Sequence, residues 1–191
     1  MTTLKEMEQW ASTLRGKHLG VAASSNPRAS ADWIEEHACA VAKDNSPDYV
    51  PARSVRSPED FALGKIFVDI KTKNLEREFS MPNLISVDRA SKLLRDRECD
   101  IWYWMIHYKD AYGIDLVSSD VVPIWHLNWD ALSIQNLGLG QIQISDWNTL
   151  IDPDPDRALW LKELHIRTIL FYKRLRDKLD KRIKSIEAIV K

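Results

Sequence analysis

The chain has 191 residues, of which 45% are hydrophobic and 29% charged, and its formal net charge at pH 7 is -1. This length and composition are typical of one globular domain with a full core, and no apolar run is long enough to cross a membrane. The N-terminus lacks the pattern of a secretory signal, and Cys39 and Cys99 show no metal-ligand spacing. We therefore expect a cytoplasmic protein with two reduced thiols and a single domain over residues 1–191.

Charge is distributed unevenly along the chain. Residues 110–156 contain eight aspartates and no lysine or arginine, whereas residues 157–191 contain eleven lysines and arginines against four acidic residues. Nucleic-acid binding is driven by lysine and arginine, so the net charge argues weakly against it, but the basic C-terminal segment leaves it open. That segment would suit either a phosphate-binding face or an ordinary solvated helix face.

Apolar spacing and turn residues predict the elements of the N-terminal half. In chain order they are a helix over 2–14, a second helix from residue 30 or 32 to about 43, a loop over 49–58, strands over 60–63 and 65–71 joined at Gly64, a loop over 73–83, and a helix from 86 to about 97.

The C-terminal half is predicted to contain more strands and one long helix. In chain order we expect a strand over 100–108, a strand within 114–125, a strand over 133–143 with a bend, bulge or close backbone approach at Gly138 and Gly140, a stop over 152–156, and a helix to about 189. This order predicts an α/β (α+β) fold with a central mixed β-sheet flanked by helices.

One short stretch carries residues that suit catalysis. Asp69 and Lys71 lie two positions apart in a predicted strand, so their side chains project from one face, while Val68 and Ile70 face the other way. Asp60 lies upstream at the start of the preceding strand. Two carboxylates can hold a hard divalent cation, and a lysine stabilises charge on phosphoryl oxygens. The set is typical of metal-assisted phosphodiester hydrolysis; the alternative is an acid at a strand edge that only meets water.

With its flanks, this motif resembles the type II restriction endonucleases of the PD-(D/E)xK superfamily, in the branch that includes HincII and EcoRV. The resemblance spans about residues 16–189 and is densest over 68–93. It is carried by Val68-Asp69-Ile70-Lys71-Thr72-Lys73-Asn74, Met81-Pro82-Asn83-Leu84-Ile85-Ser86, Ala90-Ser91-Lys92-Leu93, Gln141-Ile142-Gln143 and, upstream, Trp33-Ile34-Glu35-Glu36. It implies a restriction-endonuclease-like fold.

The resemblance implies roles for individual positions. Asp60 resembles the first metal-binding aspartate and Asp69 the second, and Lys71 resembles the catalytic lysine. Ile70 resembles the residue whose backbone carbonyl also contacts the metal. Glu35 resembles a catalytic glutamate that a helix places near the metal.

Two of these roles keep an alternative. Glu36 competes with Glu35 for the position that faces the site. Glu59 takes the place of Asp60 if the strand register shifts, because the spacing from Asp60 to Asp69 is shorter than in the relatives.

A further set of residues is expected to contact DNA. Amide side chains suit base edges, and residues just past the catalytic strand suit the phosphate backbone. The alternative is that these are ordinary turn and strand residues. The candidates are Lys73, Asn74, Ser80, Met81, Asn83, Gln135, Asn136 and Gln141.

The resemblance implies a type II restriction endonuclease that hydrolyses double-stranded DNA with Mg²⁺, or with Mn²⁺ in its place, and leaves 5′-phosphate ends. It also implies a homodimer on a palindromic site and a cognate DNA methyltransferase as genetic partner. Residues 1–30 would serve dimerisation, residues 31–150 would form the catalytic core, and residues 151–191 the C-terminal helix. Two alternatives remain: a PD-(D/E)xK nuclease of DNA repair or junction resolution, and a non-catalytic DNA-binding domain.

Overall fold

The computed structural model describes residues 2–20, 27–54, 57, 59–77, 81–95, 99–135 and 140–190. Four α-helices and eight strands lie in these ranges, with two short 3-10 helices at Ile124–His126 and Trp129–Ala131. In chain order the elements are α1 (Leu4–Ser12), α2 (Pro27–Asn45), β1 (Tyr49–Pro51), β2 (Phe61–Leu63), β3 (Ile66–Asn74), β4 (Asn83–Ser86), α3 (Val87–Arg95), β5 (Asp100–Lys109), β6 (Asp115–Pro123), β7 (Leu132–Gln135), β8 (Gln141–Ile144) and α4 (Arg157–Val190).

The strands form a five-stranded sheet in the order β1-β2-β3-β5-β6 and a three-stranded sheet in the order β4-β8-β7. Together with the helices and the long α4, the mixed five-stranded sheet confirms the predicted fold class. The chain divides into two compact units, Met1–Pro82 with Asp96–Ile124 and Asn83–Arg95 with Trp125–Lys191. The single endonuclease domain over 1–191 stays a prediction.

The first unit contains the five-stranded sheet with α1 and α2. β3 and β5 run parallel, and every other neighbouring pair in this sheet is antiparallel. α1 begins with a capping box between Thr3 and Glu6. Ile34, Ala38 and Ala42 recur every fourth residue along α2 and are fully buried, so one stripe of this helix packs into the core.

A tight hairpin joins β2 to β3. Leu63 pairs with Ile66, so only Gly64 and Lys65 form the turn, and Gly64 has a φ of 62°. Glycine adopts this left-handed conformation without steric cost, which explains its place in the turn. The hairpin agrees with the predicted strands joined at Gly64, and it fixes which residues of the two strands lie side by side.

The second unit contains the antiparallel sheet with α3 and α4. The rings of Trp129 and Trp160 stack with centroids 4.9 Å apart, and Leu164 is fully buried, so the start of α4 packs into this unit. Farther along, Leu179 and Ile183 are more than half exposed. α4 spans 34 residues, yet no helix in the described ranges is long and apolar enough to cross a membrane.

Three element predictions are wrong. The strand expected over 133–143 is two antiparallel strands, β7 and β8, with Ile134 paired to Ile142. The loop expected over 73–83 is shorter than predicted. β3 continues to Asn74 and β4 begins at Asn83, so both ends of the expected loop belong to strands. β1 lies within residues 49–58, which were expected to form a loop. The strand was not predicted because it is only three residues long and contains a proline, so it carries almost no periodic signal.

Gly140 is predicted to tolerate alanine poorly. Its φ is 99°, and an added Cβ would lie 2.9 Å from Cε1 of Phe171 and 3.1 Å from Cγ2 of Val87. Gly140→Ala should therefore lower the free energy of unfolding by about 2–4 kcal/mol through backbone strain and overpacking. Gly64→Ala is the control, since its Cβ would meet nothing within 4 Å, and it should cost ~1 kcal/mol. Equal losses in urea unfolding would contradict the close contact at Gly140.

Candidate active site

The β2–β3 hairpin brings Asp60 beside Asp69. The Asp60 amide donates to the Val68 carbonyl at 2.9 Å, and the Ile70 amide donates to Oδ2 of Asp60 at 2.6 Å. The negative charge of the Asp60 carboxyl raises the pKa of Asp69, so the two acids lie within electrostatic reach of each other. The backbone of β3 therefore anchors the first acid against the second.

Lys71 lies on the same face of β3 as Asp69, as strand alternation predicts. Its Nζ is 2.7 Å from Oδ1 of Asp69, and the side chains of Lys71 and Asp69 are only 18% and 11% exposed. The pair is thus a largely buried, charge-assisted hydrogen bond rather than a solvated surface ion pair.

The Asp69 carboxyl is costly to ionise in the metal-free protein. Burial raises the pKa of Asp69 to about 7, and the negative charge of Asp60 adds to the rise, while the Lys71 ammonium opposes it. A bound cation would remove much of this cost, because it replaces water as the partner of the ionised carboxylate.

α2 places Glu35 near the two aspartates. Glu35 follows the buried Ile34 and is itself half-buried, whereas Glu36 is exposed. Burial raises the pKa of Glu35 to about 7, with the negative charge of Asp60 adding to the rise and Lys71 opposing it. Glu35 therefore lies within electrostatic reach of Asp60 and Lys71.

An acidic cleft of about 550 Å³ opens beside Asp60. It presents five carboxylates, and no lysine or arginine from the described residues lines it. The lining residues are Asp32, Glu35, Glu36, Cys39, Ala52, Ser54, Ser57, Glu59 and Asp60. Glu59 shares the cleft, and its Oε2 is buried without a hydrogen-bond partner in the described structure, but the carboxyl that accepts from the Ile70 amide and raises the pKa of Asp69 belongs to Asp60.

The residues present fit a hard divalent cation. Asp60 and Asp69 offer converging carboxylate oxygens, the Ile70 carbonyl follows directly in β3, and Lys71 supplies one positive charge against three nearby carboxylates. Within the described ranges, no three His, Cys, Asp or Glu side chains form a metal cage by themselves. Mg²⁺ needs no such cage, since it is held by one or two carboxylates and keeps several waters.

Three candidates for DNA contact lie in the first unit. Lys73 and Asn74 end β3, and Met81 is 41% exposed. The side chain of Asn74 is engaged on both sides: its Nδ2 donates to Asp110 at 2.8 Å and its Oδ1 accepts from the Glu76 amide at 2.9 Å. Asn74 therefore serves the local fold in this structure.

Three further candidates lie in the second unit. Asn83 is exposed in β4, and its Oδ1 accepts a hydrogen bond from Gln143 in β8. Gln135 is exposed at the end of β7, opposite Gln141 in β8. The amides of β4, β7 and β8 thus cluster in one sheet. The remaining candidates, Ser80 and Asn136, lie outside the described residues.

Tyr103 is a neighbour of Asp69 that the sequence patterns did not single out. It lies directly opposite Asp69 in the parallel pairing of β3 with β5, and it is fully buried. Strand alternation gives the face of each residue but not which strands pair, or in which register. No signal in the sequence would have joined these two positions.

Glu35 and Glu36 form a matched pair for testing this electrostatic arrangement. The folded-state pKa of Glu35, about 7, lies above its ordinary value of 4.5. The fold therefore favours protonated Glu35. This stabilisation is fully present below about pH 4.5 and is lost as the pH rises to about 7. Glu35→Gln should flatten the fall in melting temperature between pH 4.5 and 8 in EDTA. Glu36→Gln should follow the unmutated protein, and equal effects of both variants would contradict the assigned position of Glu35.

No protein-family model matches the chain, and no curated protein matches it. Among solved structures, the chain is similar to the NlaIV restriction endonuclease, with a TM-score of 0.47 and 13% sequence identity. The alignment covers 74% of this chain and 64% of that one, so the chain spans less than two thirds of that protein's length. The functional proposal is accordingly built on the geometry of the site.

Proposed function

We propose that the chain is a type II restriction endonuclease with a restriction-endonuclease-like fold, which hydrolyses phosphodiester bonds in double-stranded DNA with Mg²⁺ as cofactor. The observation that carries the proposal is the Asp60 carboxylate held at 2.6 Å by the amide of Ile70, the residue after Asp69, with Nζ of Lys71 2.7 Å from Oδ1 of Asp69 on the same face of β3. Purely structural ion pairs rarely bring two carboxyls together beside a single lysine, because the second carboxyl is repelled.

Asp60 and Asp69, with the Ile70 carbonyl, would hold the cation. Mg²⁺ bound there supplies polarisation of a water molecule and of a phosphate oxygen. The chain's own contribution is to hold the two acids in place: the Ile70 amide fixes Asp60, and the buried strand β3 fixes Asp69. Glu35 adds negative charge from α2 at the edge of the same site.

Lys71 stabilises the negative charge that grows on the phosphoryl oxygens as water attacks the phosphorus. The attack forms a new phosphorus–oxygen bond in line with the bond to the sugar 3′-oxygen, which breaks. The 3′-oxygen leaves and takes up a proton. The products therefore carry a 5′-phosphate and a 3′-hydroxyl.

The proposal includes a homodimer that cuts both strands of a palindromic site, because one active site cuts one strand. A cognate DNA methyltransferase as genetic partner and a cytoplasmic location belong to the same proposal. Asn83, Gln135 and Gln141 are the described candidates for base contacts, and Lys73 near the end of β3 and Met81 are further candidates for contact with DNA.

The substrate class is tested by offering three DNAs to the purified protein in Mg²⁺. They are an unmethylated phage genome, the same genome methylated in the source cells, and a four-way junction. Discrete fragments from the first alone are expected. Cleavage confined to the junction would replace restriction by repair or junction resolution. DNA binding without any cleavage, indifferent to Mg²⁺, would favour a non-catalytic DNA-binding domain.

A further inference from the structure

The tyrosine beside Asp69 carries a buried hydroxyl that bonds no atom of the described residues. Tyr103 is 0% exposed, and its hydroxyl has no hydrogen-bond partner within the described part of the chain. Leaving a buried hydroxyl unpaired is unfavourable, and a phenylalanine would fill the same volume without that cost. The position therefore retains a polar atom that no described residue bonds.

The neighbouring residues of β5 satisfy such atoms in one case and not in the other, since Nε1 of Trp102 is also buried without a partner among the described residues. One residue along β5, the fully buried Trp104 donates from Nε1 to Oγ of Ser119 at 2.8 Å. Tyr103 differs in facing the catalytic side, since residues paired across parallel strands project from the same face and its partner is Asp69.

The hydroxyl is a neutral donor within the field of the Asp69 carboxylate. Burial raises the pKa of Tyr103 well above its ordinary value, and the negative charge of Asp69 adds to the rise.

In the metal-free structure, Asp69 already has a donor, because Lys71 occupies its Oδ1 at 2.7 Å. For Lys71 to reach a phosphate, this contact must open. Opening it frees Oδ1 for the cation and leaves the carboxylate without its lysine donor, in a residue that is only 8% exposed.

We propose that Tyr103 is a positioning residue of this site, whose hydroxyl donates a hydrogen bond to the Asp69 carboxylate when Lys71 moves to the substrate. This inference rests on the proposed function. A neutral donor suits the task, because it holds the carboxylate's orientation without bringing a second positive charge near the cation.

The test compares Tyr103→Phe with Tyr108→Phe, a buried tyrosine five residues along β5. Three quantities are measured: the melting temperature in EDTA, the affinity for Mn²⁺ by calorimetry, and kcat and KM for DNA cleavage. Tyr103→Phe should keep or raise the melting temperature, by up to about 4 °C. It should weaken Mn²⁺ binding by about 10 to 100-fold and lower kcat at unchanged KM. Tyr108→Phe should leave Mn²⁺ affinity and kcat within twofold.

Two outcomes overturn the inference while leaving the proposed function intact. One is a Tyr103→Phe protein whose Mn²⁺ affinity and kcat stay within twofold of the unmutated protein. The other is a large drop in its melting temperature, which would show that the hydroxyl already has a structural partner. Failure of the proposed function is recognised separately, because Asp69→Asn would then leave Mn²⁺ binding unchanged.

Discussion

Replacing Asp69 by asparagine is expected to lower the rate of DNA cleavage by at least about 10³-fold and to abolish Mn²⁺ binding, without unfolding the protein. Asparagine has the shape of a protonated aspartate but supplies only a neutral oxygen to a cation. Asp69 bonds Lys71 and lies within electrostatic reach of Asp60, so the substitution removes a carboxylate from the centre of the site.

Although Asp69→Asn should lower the cleavage rate, it should make the fold more stable as the pH rises. The folded-state pKa of Asp69, about 7, lies above its ordinary value of 3.8, so its contribution to stability is present below about pH 4 and lost as the pH rises to about 7. Asp69→Asn removes this loss. In EDTA, its melting temperature relative to the unmutated protein should therefore increase from pH 4 to pH 8.

The control for this experiment is Asp44→Asn, because Asp44 is an exposed acid near the end of α2. It should cleave at the unmutated rate and show the unmutated dependence of melting temperature on pH. An Asp69→Asn protein that still cleaves at more than a tenth of the unmutated rate would contradict a metal-holding role for Asp69.

Lys71→Ala is expected to slow cleavage by about 10² to 10³-fold while leaving Mn²⁺ binding intact or tighter. The ammonium is assigned to the phosphoryl oxygens rather than to the cation. In the metal-free protein it also competes with a cation for Asp69, since its Nζ is 2.7 Å from Oδ1. Lys71→Ala therefore separates the effect of the lysine on the cleavage rate from its effect on metal affinity.

Lys109→Ala provides the matched control, since Lys109 is an exposed lysine at the end of the neighbouring strand β5. It should change neither the cleavage rate nor Mn²⁺ affinity. If Lys71→Ala instead weakened Mn²⁺ binding as much as Asp69→Asn does, Lys71 would act by shaping the metal site. The assigned role in stabilising the phosphoryl oxygens would then be wrong.

The local geometry around the two aspartates could be predicted from the sequence because it depends on short-range rules. Strand alternation places Asp69 and Lys71 on one face, and a glycine between two apolar runs predicts the hairpin that returns Asp60 to Asp69. Each of these features depends on residues within about ten positions of one another or on one periodic spacing. Glu35 was singled out by the family resemblance, with Glu36 as its alternative, and not by helical periodicity.

Other features depend on which distant segments meet. The pairing of β3 with β5, and hence the position of Tyr103, is set by tertiary contacts that no local pattern encodes. The engagement of Asn74 by Asp110 is of the same kind. Residues 133–143 were predicted as one strand because β7 and β8 are both apolar on alternate positions, so periodicity alone does not reveal the reversal between them.

The apolar stripe of α4 is buried only in part. Leu164 is fully buried, but Leu179, Ile183 and Ile186 continue the helical spacing and are all more than half exposed. Periodicity predicts that a helix has an apolar face and does not say what covers it.

The proposed nuclease centre is tested most directly by one incubation of an unmethylated phage genome with the unmutated protein, in Mg²⁺ and in EDTA. We expect discrete fragments in Mg²⁺ only, each ending in a 5′-phosphate and a 3′-hydroxyl. Intact DNA in both buffers, or the same cleavage in EDTA as in Mg²⁺, would contradict a metal-dependent nuclease centre at Asp60, Asp69 and Lys71.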